Sequence, residues 1–140
     1  MRKTFLRLGS FFLMIAVTLG AFGAHQLKGM LTPAQINTFE TGIRYHFIHG
    51  IAILIAGILL YVRKTNALKW SGWLFAAGII CFSGSLYLLA IQEAFALSVS
   101  WLGPVTPIGG LFFVMGWAMM LVSTYQTNGK LARQASDQES

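Results

Sequence analysis

Charge is scarce in this chain. Only four acidic and ten basic residues occur among 140, so charged residues make up 10% where soluble domains carry about a quarter. Hydrophobic residues make up 56%. A soluble fold of this length has too little polar surface to cover such a core. The single cysteine, Cys81, lies inside an apolar run, which excludes an internal disulfide. There are three prolines, and Pro33, Pro104 and Pro107 all lie outside the middles of the apolar runs. Nothing therefore breaks those runs from within.

The runs themselves are long. About 5–24, 45–62, 70–91 and 107–125 are apolar, and each approaches the roughly 20 residues that cross a hydrocarbon core. None holds Lys, Arg, Asp or Glu in its central part. This matters because a mid-bilayer charge costs about 2.5–3.5 kcal/mol. Tyr61, Trp70 and Trp73 stand near span ends, where amphipathic rings favour the interface. The expected fold is all-α: an integral membrane four-helix bundle forming one domain over residues 1–126. A polar cytoplasmic tail is expected over 127–140.

The net charge of +6 does not indicate nucleic acid, because the basic residues flank apolar spans and form no stripe interleaved with aromatics. Membrane lipids are the expected partners. Eight of the ten Lys and Arg fall in the N-terminus, the 63–69 loop and the tail, leaving only Lys28 and Arg44 on the other side. The positive-inside rule then puts both termini in the cytoplasm. The first 24 residues also loosely match a signal peptide cut after Gly23. Their apolar run is long for such a segment, so an uncleaved first helix is expected.

Between the first two spans, Thr32 can cap a helix and Pro33 suits its first position. PAQINTFETGIRYHF mixes polar with apolar residues, so it reads as a short interfacial helix that lies on the surface or bends into span two at Gly42. Pro104 and Pro107 predict an extended or broken start to span four. Small residues recur at Ala16, Gly20 and Ala24, at Ala52 and Ala56, and at Gly72, Ala76 and Gly78. That spacing suits close helix packing within a bundle, with a homo-oligomer face as the rival use.

The stretch FETGIRYHFIHG (39–50) gathers Glu40, Arg44, Tyr45, His46 and His49 at the mouth of the second span. Glu40 and Arg44 are four apart in the favourable order for a helical pair. Taken with His25 and Glu93 on the same side of the membrane, the expected site is an outward polar cap of His25, Glu40, Arg44, Tyr45, His49 and Glu93. Glu93 at a helix C-terminus calls for an electropositive partner, Arg44 or a histidine. Such a cap would tie the helices together by hydrogen bonds. It would alternatively serve a small-solute or proton-coupled carrier, although the absence of charge at mid-span argues against transport. A third reading is metal or haem binding through His25 and His49, but no metal motif is present, and neither metal nor cofactor is expected. Ser83 and Ser85 lack the context of a hydrolase elbow and are expected to bond backbone; no catalytic residue is assigned.

Four segments together, GAFGAH (20–25), FETGIRYHFIHG (39–50), FSGSLYLLA (82–90) and PVTPIGG (104–110), resemble the family called domain of unknown function 423. Its animal relative is transmembrane protein 256. The pattern is a Gly-Ala-His at the end of span one, matched by Gly23, Ala24 and His25. A Phe-x-Thr and Tyr-x-x-x-His segment follows, matched by Phe39, Thr41, Tyr45 and His49. His46 falls outside it. The resemblance implies a four-helix protein of the bacterial inner membrane with no assigned reaction. The expected role is therefore a non-enzymatic accessory or lipid-interacting component.

Overall fold

The computed structural model describes residues 1–126. The expected tail, 127–140, lies outside the described residues. α1 spans Arg2–His25 and α2 Pro33–Val62; α3 (Asn66–Gly78) and α4 (Gly84–Ile91) are joined by a π-helical turn, Ile79–Ser83, into one rod; α5 spans Val105–Tyr125. No strand occurs among the described residues. Four helical stretches are long and apolar enough to cross a membrane. Large apolar side chains such as Phe11, Met14, Ile55, Ile58, Val114 and Leu121 are exposed along the outside of the bundle. In water they would form a large unpaired patch; in a bilayer they meet lipid.

The four stretches alternate in direction. α1 packs mainly on α2, and α5 mainly on the α3–α4 rod, with α2 and the rod between them. One end of the bundle is basic, and there Arg2 lies over the Tyr61 ring at 4.7 Å. At the same end Arg63 Nη1 donates to the Thr124 carbonyl at 3.2 Å, tying the end of α2 to that of α5.

Local chemistry sets the helix starts. Thr32 Oγ1 accepts from Gln35 N at 3.3 Å, while Thr32 N donates to Gln35 Oε1 at 2.8 Å. This reciprocal pair satisfies two donors that a helix start leaves open, and Pro33 takes the position that needs no N–H. Thr65 does the same service for α3, accepting from Leu68 N at 3.3 Å.

Two expectations meet a different backbone. The interfacial segment is not a separate short helix: residues from Pro33 onward are the first turns of the 30-residue α2, which runs through Gly42 without interruption. The glycine is there for contact, since a Cβ on it would stand 2.7 Å from the Tyr87 ring. Span four is likewise not extended at its start. Pro104 caps α5 and Pro107 sits in its first turn, where the missing N–H would lack an intrahelical partner anyway.

Most of the small residues are seam: Ala16, Ala52, Ala56, Gly72, Ala76 and Gly78 are buried within the chain, whereas Gly20 is half-buried and Ala24 is exposed. A Cβ at Gly72 would come within 2.6 Å of the Phe5 ring, and one at Gly116 within 2.6 Å of Phe75. Rings therefore fill the notches that glycines leave, and they form the core: Phe5, Phe12, Phe75 and Phe113 with Ile53, Leu60 and Leu68.

Candidate functional site

The six residues of the expected polar cap do not converge on one place. His49 lies near the middle of α2, about 20–24 Å along the axis from Pro33, as does His46. Both are buried, each only 3% exposed. Their neighbours confirm the depth, for Phe12, Phe75 and Phe113 come from the middles of three other helical stretches. The histidines thus sit near mid-height of the helical bundle, about 20–24 Å from the start of α2 rather than in its first turns. The hidden cause is the continuity of α2, which carries these residues inward once its first turns stand upright.

His49 uses both ring nitrogens. A carbonyl only accepts, so Nδ1–H donates to the Tyr45 carbonyl at 2.8 Å; an indole N–H only donates, so Nε2 accepts from Trp117 Nε1 at 3.1 Å. These two bonds fix one neutral tautomer. The ring is stacked face to face on Phe113, with centroids 3.5 Å apart and planes 8° from parallel. Tyr45, half-exposed, stacks beside it and packs on Phe82. No lone pair is left on His49 for a metal without breaking the Trp117 bond.

His46 is held differently. Its Nδ1 shares a hydrogen bond with the Tyr87 hydroxyl at 3.0 Å, and its ring lies edge-on to Phe12. Among the described residues its Nε2 makes no well-formed hydrogen bond, although the Phe12 backbone stands against the ring, and the buried Ser83 Oγ in the π turn has no partner. Ser85 meets its expectation, donating to the Phe82 carbonyl at 2.9 Å and sharing a 2.7 Å contact with Thr106 Oγ1. Ser83 does not.

His25 is far from this group. It ends α1, exposed, near the level of Phe39, which packs at 2.8 Å from the Cβ position of Gly23. That places it about 15 Å along the α2 axis from His49, so the two do not share a site. Among the described residues, no group of three His, Cys, Asp or Glu could hold a metal ion. Glu93 lies in the turn after α4, and its partner is neither Arg44 nor a histidine: Gln35 Nε2 donates to its Oε2 at 2.6 Å. The sequence reading missed Gln35 because it was assigned only to the surface helix. The resulting bond ties the start of α2 to the end of the rod.

Glu40 and Arg44 make up another group. Both are exposed, and they line a cleft of about 260 Å³ between the end of α1 and the first half of α2. Its other walls are mostly apolar: Gly20 and Gly23 on α1, Leu27 in the connection, Ile36 and Ile43 on α2. Neither charged side chain has a hydrogen-bond or ion-pair partner among the described residues. The arrangement is an apolar recess beside two free opposite charges, at the non-basic end of the bundle.

The family described as Protein of unknown function (DUF423) matches residues 19–110, which contain the cleft, both buried histidines and the π turn. A UPF0382 membrane protein of Staphylococcus aureus (strain bovine RF122 / ET3-1) is 41% identical over 127 residues, covering 91% of this chain and 99% of its own length. The UPF0382 membrane protein YwdK of Bacillus subtilis (strain 168) is 37% identical over 122 residues, 86% of this chain and 95% of its own. No solved structure matches.

Proposed function

Since the chain belongs to the DUF423 family, a family of membrane proteins without an assigned activity, we propose that it is a non-enzymatic, lipid-interacting component of the bacterial plasma (inner) membrane. One observation carries this reading: the apolar cleft at the non-basic end, beside the unpaired Arg44 guanidinium. Such a recess accepts a stretch of acyl chain, and a planar guanidinium pairs well with phosphate. Among the described residues the hydroxyl that meets an imidazole, Tyr87 with His46, does so where the histidine is buried in the bundle and away from the cleft. His49 is consumed by its own hydrogen bonds, and Ser83 meets no partner.

In this reading the basic end faces the cytoplasm, with both chain termini on that side. Reporter fusions placed after residues 66 and 100 should then report opposite compartments, the first cytoplasmic. Equal signals from both would reverse the topology argument.

Lipid that survives purification in mild detergent should fall when Arg44→Gln removes the phosphate partner. It should fall further with Gly20→Leu, because the new side chain occupies the cleft, where only Ile43 lies within 4 Å of the added Cβ. If both variants carry as much lipid as the wild type, the cleft does not hold it.

A second reading, a proton-coupled or small-solute carrier, gains from one finding. Among the described residues Ser83 Oγ is buried without a partner and His46 Nε2 has no more than the Phe12 backbone beside it, both within the bundle near a π turn, a place where irregular helices often serve function. It predicts a flux in proteoliposomes that His46→Phe abolishes in folded protein. A wild-type chain that moves no proton or solute across a wide screen would retire it.

A further inference from the structure

The basic end of the bundle carries a second recess, separate from the cleft. It measures about 300 Å³ and is lined by Met1 before α1 and by Asn66, Lys69, Trp70 and Trp73 on α3. Four of its five residues belong to one helix, which fixes their order of depth. α3 starts at Asn66 at the basic end and runs inward. Trp73 therefore lies one turn, about 6 Å, deeper than Lys69. Side chains on a helix lean toward its start, so the Lys69 ammonium reaches back to the rim, where it donates to Asn66 Oδ1 at 3.0 Å. Trp70 and Trp73 are exposed below it, and the exposed Ile80 continues the same rod farther in. From rim to interior the order is ammonium, indole, indole, aliphatic side chain.

From this order we propose that the recess seats an anionic phospholipid of the phosphatidylglycerol class. Lys69 takes the phosphate, and the two indole rings flank the glycerol and the first carbons of one chain. The sign of the local charge selects the headgroup. Lys69 meets a neutral amide oxygen, so its charge is not cancelled and donors remain on its ammonium. The acids among the described residues, Glu40 and Glu93, both lie toward the opposite end, while Arg2, Arg63 and Lys64 share this one. An ammonium headgroup would find no described carboxylate here, whereas a net negative headgroup gains from every neighbouring cation. One wall is already set: the Phe5 ring fills the notch at Gly72 and meets the Trp73 ring edge-on at 5.5 Å. Neither indole N–H has an acceptor among the described residues, and a glycerol ester carbonyl supplies one at interface depth. This site extends the lipid-interacting reading above to the other end of the bundle and does not depend on the cleft.

The test uses the full chain in nanodiscs made from equal amounts of phosphatidylglycerol and phosphatidylethanolamine with identical acyl chains. A trace of one lipid or the other carries a diazirine near the head of one chain, and adducts formed on irradiation are mapped by peptide mass spectrometry. Over residues 66–73 the wild type should gain about three times as many adducts from the phosphatidylglycerol probe, the scale of one exposed charge contact. Lys69→Gln should bring the two probes close to parity on that segment, and Lys69→Arg, which keeps the charge, should keep the preference. Arg44→Gln, at the opposite end, should leave it unchanged. Parity in the wild type, or a preference that survives Lys69→Gln, overturns the site. So does a dimer that Trp70→Ala separates, because the recess then belongs to a second copy of the chain. Parity on this segment together with lipid lost through Arg44→Gln removes the site and leaves the cleft reading standing.

Discussion

Replacing Gly109 by alanine should cost more stability than adding a methyl group at any other glycine in the bundle. The added Cβ would collide with the backbone N of Phe82 and stand 2.7 Å from its Cα and Cβ. Phe82 belongs to the π turn, and its ring is wedged against Tyr45 at 4.7 Å and Phe113 at 5.5 Å between centroids. Backbone held on both sides cannot swing away as a side-chain tip can. Overpacking of this kind typically costs about 1–3 kcal/mol, and a collision with backbone belongs at or above the upper limit. Gly78 offers the contrast: its added Cβ would meet the Phe113 side chain and not backbone, so Gly78→Ala should cost less. Gly110→Ala meets the Phe82 ring only at 3.7 Å and should be nearly silent, within about 0.5 kcal/mol. Unfolding in mixed detergent micelles ranks the three. If Gly109→Ala unfolds with Gly110→Ala, the close approach of α5 to the π turn is not as described.

The second large effect belongs to His49. Changing it to alanine deletes a buried ring stacked on Phe113, opens a cavity beside Phe75, and leaves the Trp117 N–H without its acceptor. Core truncations of aromatic side chains cost about 3–5 kcal/mol, and this one should fall near 3 because a polar group is lost with the ring. His49→Phe restores the volume but not the acceptor, and should cost about 1 kcal/mol, as interhelical hydrogen bonds do in membranes. His25→Ala should leave stability unchanged within about 0.5 kcal/mol, since His25 is exposed at the end of α1. The stepwise order is the check. An alanine variant as stable as the wild type would mean that His49 does not pin α2 to α5.

Parts of this molecule could be read before folding was considered. Thr32 and Pro33 announced the start of α2, and the hydrogen bonds between Thr32 and Gln35 bear that out. The exposed Trp70 and Trp73 lie near the end of a span, as amphipathic rings at an interface should. Other parts misled for a physical reason. Gly42 is equally compatible with a bend and with a ring seated against it, and only the position of Tyr87 on a distant helix decides between them. Pro104 and Pro107 suggest interruption, but a helix start has no N–H bonds for them to remove. Glu93 called for a cation and met an amide, because Gln35 is the group that the start of α2 brings within 2.6 Å.

Hydropathy and capping act within a segment, so four membrane helices, their approximate limits and the basic rim were already present in the linear order of residues. A charge in hydrocarbon is costly wherever the rest of the chain lies, and a helix start needs its acceptors nearby. Depth and partnership are different in kind. Whether His49 sits near mid-height of the bundle or at its end depends on α2 continuing unbroken, and its acceptor role depends on Trp117 arriving from α5. Those meetings are set by which ring fits against which glycine on another helix, a relation between distant residues that only packing decides.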